Sequence, residues 1–362
     1  MSFRTTSFNF EVASCILGTI FNALLLWVAG RSTKKSVVFS EFSKIVKVNV
    51  AFDVYLIVST ISSGAQIDTQ GGYFFMVDGY DRRGMPPLAN IMFGCLWCSS
   101  IGFAALYGAL PMYFRYVTFC KEETVSTVRI FFWIMAVVLT AVWNSSWALH
   151  SACDNLHQTE NLTKLLDRDF WALPDGEMPF VSVVSLTNLG GLMFAASCTV
   201  SFTFATSFGF YLVMKIRARL DEISKSALSD KTKRLQAQMN RMIIFQLVVT
   251  VVLGQLPVIL TAGQMLAKTN LPSEFNIIVG CMDPLLPVVN PIADILFVDA
   301  YRRQLFSLPR RIWSRHSVGD TSTELDKTKR RLSVLAIKHI PKTSYIYSLF
   351  TKWERTETGV SN

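Results

Sequence analysis

Seven apolar runs constrain this chain more than any other feature. They cover about Glu11–Val28, Ile45–Gly64, Leu88–Phe114, Ile130–Leu149, Leu189–Met214, Met242–Ala267 and Ile277–Phe297. A helix needs roughly 20 apolar residues to cross a bilayer. The pattern predicts an all-α membrane protein: a bundle of seven transmembrane helices over residues 11–300. Residues 1–10 precede it and a tail of residues 301–362 follows. The third, fifth and sixth runs exceed the crossing length, so tilt or extension past the bilayer is expected. Charged residues make up only 17% of the chain, against about 25% in soluble domains. The net charge of +9 raises the question of nucleic acid, but the basic residues sit in the gaps between apolar runs. That placement suits membrane loops, so the expected partner is the lipid bilayer and not nucleic acid.

Loop charge sets the expected orientation. The first loop carries Arg31, Lys34 and Lys35, with Lys44 and Lys47 opening the second run. The third loop has Arg115, Lys121 and Arg129 against Glu122 and Glu123, and the fifth loop has eight basic residues, Arg217, Arg219 and Arg241 among them, against three acidic ones. The fourth loop is acidic, with Asp154, Glu160, Asp167, Asp169, Asp175 and Glu177 against Lys164 and Arg168. Basic loops face the cytoplasm, which predicts an extracellular amino terminus and a cytoplasmic tail. Asn161-Leu162-Thr163 is a glycosylation sequon in the acidic loop, on the predicted outer side. Asn144-Ser145-Ser146 has the same form but lies inside a span, where it is expected to be inert. The first run is too long for a cleaved leader and lacks a small-residue cleavage site, so it is read as its own insertion signal.

After Phe297, apolar and basic residues alternate through Tyr301, Arg302, Arg303, Arg310 and Arg311 to Trp313. This predicts a short amphipathic helix at about 300–315, lying on the inner membrane face. Farther on, Arg330-Arg331-Leu332-Ser333 has the form of a kinase site.

No catalytic set is legible. His150, His157, His316 and His339 are scattered, and no nucleophile elbow, phosphate-cradling glycine loop or zinc-protease motif occurs. Neither a metal nor another cofactor is expected, and the chain is not read as an enzyme. Five of the seven cysteines lie in apolar runs. Cys153 lies in the acidic loop, and Cys95 with Cys153 is a candidate disulfide tying the third span to that loop.

The polar groups inside the spans carry the signal. Asp283, Pro287, Asn290 and Asp294 fall at helical spacing in the last run, on one stripe. Carboxylates and amides there are costly unless they face protein or internal water. The prolines remove backbone donors, so neighbouring helices must satisfy the freed carbonyls. Asn49, Asp53 and Thr60 form a stripe in the second run, and Gln246, Thr250, Gly254, Pro257, Thr261 and Gln264 form one in the sixth. Asn22, Asp53, Asn290 and Asp294 are expected to form one interior network. It reads as a switch that repacks when spans shift or as polar glue between helices. Pro257 and Pro111 predict kinks. Trp97, Phe103 and Tyr107 on the third span, Thr261 and Gln264 on the sixth and Asp283 on the seventh are the candidate lining of a small-molecule pocket near the outer ends.

Seven spans in this orientation, Tyr113-Phe114-Arg115-Tyr116 closing the third, and Pro287 through Tyr301-Arg302-Arg303 closing the seventh resemble the nematode chemosensory serpentine receptors. The nearest likeness is to the Str and Srd classes, with rhodopsin-like topology, and Asn22-Ala23-Leu24-Leu25-Leu26 fits the same pattern. The likeness runs from about Phe10 to Leu305. It implies a G-protein-coupled receptor in the plasma membrane of ciliated sensory neurons, binding a small environmental molecule and activating a heterotrimeric G protein. It also implies that Arg115 holds the inner end of the third span, with Arg217, Arg219, Arg241, Arg302 and Arg303 toward the G protein. Two positions depart from rhodopsin-like receptors. Asp294 stands where a tyrosine follows Asn-Pro, and Phe114, not a carboxylate, precedes Arg115. An adjacent carboxylate–arginine lock is therefore not expected. The alternative reading is a transporter or ion pathway using Asp53, Asp283 and Asp294. The missing internal repeat counts against it. Neither the ligand nor the oligomeric state is legible.

Overall fold

A computed structural model describes residues 3–33, 37–121, 123–225, 241–298 and 301–305. Among these, seven helices are long and apolar enough to cross a membrane. They are α1 (Phe3–Thr33), α2 (Val37–Ser63), α3 in two pieces (Pro87–Tyr107 and Ala109–Cys120), α4 (Thr127–Asn155), α5 (Leu189–Lys225), α6 (Arg241–Ala267) and α7 (Ser273–Phe297, interrupted). Helix α1 packs against α2 and α7, α2 against α3, α3 against α4 and α5, and α4 against α5. Helix α6 packs against α3 and α7 and completes the bundle.

Helix α1 starts at Phe3, two turns before the apolar run. The residues expected to precede the bundle are helical because Arg4 is fully engaged. Its guanidinium donates to Trp171 O (3.0 Å), Asp78 O (2.9 Å) and Gln66 Oε1 (3.2 Å). A buried arginine is tolerated when acceptors surround it.

One end of the bundle carries a three-stranded antiparallel sheet that the apolar pattern did not announce. Strands β1 (Ala65–Gln70) and β2 (Tyr73–Asp78) form a hairpin, and β3 (Val181–Ser185) pairs with β2. The hairpin turns on Gly71 and Gly72, whose φ values of 61° and 87° favour glycine. A two-residue turn with both φ positive matches the twist of its strands. Both faces of the sheet are buried, by the two-residue period of strands. Ile67, Phe74 and Met76 pack on the bundle against Trp97, Ile101 and Phe194. Phe75, Val77, Val181 and Val183 face Leu162, Leu166 and Trp171 of the segment above.

Asp68 is completely buried and joins three parts of the chain. It accepts from Thr69 N (2.7 Å), Gln70 Nε2 (3.1 Å), Trp171 Nε1 (2.8 Å), Ser273 Oγ (2.6 Å) and Asn276 Nδ2 (2.6 Å). These donors stabilise the carboxylate without a basic partner.

The prolines act where they were expected to. Pro291 has no N–H, so the carbonyl of Pro287 loses its partner in the helix. Asn22 Nδ2 donates to that carbonyl at 2.9 Å and to Gly18 O at 2.9 Å, clasping α1 to α7. Before Pro257, α6 widens into a π-helical segment, Thr250–Gln255. Three residues before Pro111, α3 breaks at Gly108, where a side chain would run into Thr250.

The Cys95–Cys153 pair is not formed, and all seven cysteines are free thiols. Cys95 is buried in the core beneath the sheet, whereas Cys153 is exposed near the end of α4. Of the helix expected at about 300–315, residues 301–305 are helical, and Tyr301 is fully buried against the inner faces of α1 and α2. The rest of that helix and Ser333 lie outside the described residues.

Candidate functional site

Beneath the sheet, α3, α5, α6 and α7 surround a cavity of about 550 Å³. Ile67 and Phe74 of the hairpin form its roof, and Trp97 of α3 stacks on Phe74 with ring centroids 5.8 Å apart. Cys198 and Phe202 of α5 and Pro257 and Met265 of α6 supply apolar walls. Among the described residues, Asp283 is the only charged one in the lining. Its Oδ1 is buried without a hydrogen-bond partner. An apolar hollow with very few polar groups is the usual form of a small-molecule site.

Three of the six pocket candidates line this cavity: Trp97, Thr261 and Asp283. The Thr261 hydroxyl donates to Pro257 O at 2.9 Å, within its own helix. Phe103 does not reach the cavity, because it is held between Phe52 (4.8 Å) and Tyr55 (4.2 Å) on the α2 side. Gln264 is buried outside the lining, with its Oε1 unpartnered. The side chain of Tyr107 lies outside the described residues. The lining from β1, β2 and α5 was missed. The Gly71-Gly72 turn was the available signal for the hairpin, whereas α5 shows only an apolar run.

Far from the sheet, three helices meet at one polar contact. Arg115 of α3 donates from Nη1 to Gln246 Oε1 of α6 at 2.6 Å. Gln246 Nε2 donates to Asp294 Oδ1 of α7 at 2.8 Å. Arg115 Nη2 lies 3.9 Å from the same carboxylate oxygen, and both charged residues are 2% exposed. The lock judged absent next to Arg115 is thus supplied from α7, by the aspartate that stands in the place of a tyrosine. Arg115, expected to face a G protein, is instead buried here, because Asp294 and Gln246 hold it inside the bundle.

The four residues of the expected interior network are all buried: Asn22, Asp53, Asn290 and Asp294. Asn22 joins α1 to α7, while Asp294 joins α7 to α6 and α3. Gln246 and Arg115 are the members that the sequence did not assign to it. At the same end, Arg217, Arg241, Arg302 and Arg303 are exposed, and Arg219 pairs with Glu222 at 2.9 Å. Arg241 and Arg302 border a shared hollow of about 430 Å³ between α6 and α7. At the sheet end, Asn161 is exposed. Asn144, in the second sequon, is fully buried and accepts from Ser197 Oγ, out of reach of modification.

No curated protein matches the sequence. The family model for the serpentine type 7TM GPCR chemoreceptor Str matches residues 7–306, which span all seven helices, the sheet, the cavity and the lock. The chain belongs to the Str family of serpentine chemoreceptors, multi-pass membrane proteins of the G-protein-coupled receptor class.

Proposed function

We propose that the chain is a chemosensory receptor that binds a small environmental molecule in the cavity beneath the sheet and activates a heterotrimeric G protein at the opposite end. In this reading the sheet end is extracellular, the tail is cytoplasmic, and the receptor sits in the plasma membrane of sensory cilia. The family supports the class. The observation that carries the mechanism is the reach of α6, which, like α3 and α7, spans both places: it lines the cavity with Pro257, Thr261 and Met265 and joins the far contact with Gln246. A ligand preferring a different setting of α6 strains the Arg115–Gln246–Asp294 contact and frees the arginine. The exposed Arg217, Arg241, Arg302 and Arg303 then border the G-protein cleft.

The test is nucleotide exchange on a panel of heterotrimeric G proteins by the full chain in lipid nanodiscs, screened against volatile and soluble metabolites. Ligand-dependent exchange is expected for one coupling partner. Failure across ligands and partners, with verified folding, argues against receptor function. Loss of an electrophoretic shift in the Asn161→Gln variant, after expression in a glycosylating cell, tests the orientation.

A further inference from the structure

The cavity is closed toward the sheet end and open through one wall. Its roof is a sheet buried on both faces beneath residues 156–180. The roof is sealed along the α6–α7 connection as well, by Gln70 Nε2 donating to Leu271 O (2.8 Å) and Gly71 N to Asn270 Oδ1 (2.7 Å). The wall between α5 and α6 differs. Thr199, Thr203 and Ser207 of α5 and Ile259, Gly263 and Leu266 of α6 line the cavity and are also exposed on the outside of the bundle. A side chain at Gly263 would meet nothing within 4 Å. The gap ends where Thr206 Oγ1 donates to Gln255 Oε1 at 2.6 Å, and below that point Leu212 and Ile216 pack with Ile243 and Leu247. In a membrane-spanning bundle, an exposed wall at this depth faces acyl chains.

The interior supplies the second half of the inference. The described lining is apolar except for Asp283 and the Thr and Ser hydroxyls, of which those of Thr199, Thr206 and Thr261 donate to carbonyls of their own helices. Among the described residues no lysine, arginine or histidine lines the cavity, and the Glu11 carboxyl of α1, outside the lining, lies within electrostatic range of Asp283. A buried carboxyl with no basic neighbour in that lining pairs with a cation better than with an anion. An unpartnered buried carboxylate oxygen is costly until a donor reaches it.

We propose that ligand reaches the cavity from within the bilayer, through the gap between α5 and α6, and that it is an apolar molecule carrying one protonated nitrogen that pairs with Asp283. This rests on the receptor reading for its biological sense, but neither the route nor the chemistry requires a G protein. It excludes small, strongly hydrated metabolites and fatty acids as the preferred class.

The test uses the full chain in phosphatidylcholine nanodiscs with three diazirine-bearing probes of equal chain length: a decylamine, a decanol and a decanoate. Photolabelling is mapped by mass spectrometry. The amine is expected to label the cavity walls saturably and the decanoate not to label them. Asp283→Asn is expected to weaken amine labelling by about tenfold, the loss of one charge-assisted hydrogen bond, while leaving decanol unchanged. Gly263→Trp, which plugs the gap from open space, is expected to slow labelling without changing thermal stability, and Val200→Trp, on the exposed face of α5 outside the lining, is expected to label at the native rate. Equal labelling by decanoate, or an unchanged rate in a folded Gly263→Trp variant, overturns the proposal. Saturable amine labelling without any nucleotide exchange would instead count against the receptor reading and leave the route standing.

Discussion

Arg115 is a buried cation on α3, 2% exposed. In the sequence it is a basic residue at the end of a span, preceded by Phe114. In the structure it is the centre of a three-helix contact. Its attraction to Asp294 across 3.9 Å is about 4 kcal/mol at an effective dielectric constant near 20. Much of that is offset by the cost of desolvating both ions. The Gln246 amide helps to decide the balance, because it accepts from the arginine and donates to the aspartate. Asp294 and Gln246 were legible as polar positions that must face inward. Their partner was not, because nothing near Arg115 in the chain points to α7. Asp294→Asn preserves the shape but removes the carboxylate that faces the buried arginine. The expected outcome is a loss of about 3 kcal/mol of stability, read as a lower thermal midpoint, together with raised ligand-free nucleotide exchange. Adding Arg115→Gln in the same chain should restore part of the stability, since the buried charge that Asp294 faced is gone. An unchanged midpoint and unchanged basal exchange in Asp294→Asn would show that the contact holds nothing closed.

Among the elements, the helices were legible and the sheet was not. Apolar runs long enough to span a membrane leave few alternatives, and each expected run falls on one observed span, the second overrunning its helix by Gly64 and the third crossing the break at Gly108. Strand β1 reads Ala-Gln-Ile-Asp-Thr-Gln, whose polar residues conceal a fully buried strand. Strand β3, which pairs with β2 on its other edge, is distant in sequence, and the burial of Asp68 depends on donors from Trp171, Ser273 and Asn276. The dependence is testable. Asp68→Asn keeps the volume but turns an N–H₂ group toward donors that need an acceptor. A destabilisation on the order of 3 kcal/mol is expected, with faster hydrogen exchange confined to the sheet and residues 156–180. A uniform change across the bundle would contradict that assignment. A second clamp is solvent-exposed: Arg83 pairs with Asp81 (2.5 Å), Asp175 (2.7 Å) and Glu177 (2.6 Å), joining the segment after β2 to the segment before β3. Hydrogen bonds from Arg83 hold the Asp81 and Asp175 carboxyls below their ordinary value of 3.8. The contribution is therefore present above that value and lost as pH falls through the depressed folded-state values. Arg83→Ala should abolish this part of the acid sensitivity of the loops while changing little at neutral pH, as measured by loop hydrogen exchange at the two conditions.

At the scale of the whole molecule, the cavity and the lock lie toward opposite ends of the bundle, and side chains of α3, α7 and α6 reach both; the helix of the three that combines a π segment with a proline is α6. Its middle is not a regular α-helix. The π segment Thr250–Gln255 precedes Pro257, which cannot donate to the carbonyl of Leu253, and Thr250 fills the space opposite Gly108 where α3 breaks. Two irregular helices thus touch at their weak points, between the cavity and the Arg115–Gln246–Asp294 contact. Such a segment bends where a regular helix would not. Pro257→Ala returns a donor to the backbone and favours a straighter α6. If bending at this point carries the signal, the variant should bind the photoreactive decylamine within about twofold of the native chain, yet show ligand-stimulated nucleotide exchange lower by about tenfold, equivalent to roughly 1.4 kcal/mol. Spin labels on α6 and α2 near the lock would then report a smaller ligand-induced change in distance than in the native chain. Should binding fall while exchange per bound ligand stays the same, Pro257 only shapes the cavity wall, and the coupling runs through α7, where Asp283 and Asp294 share one helix.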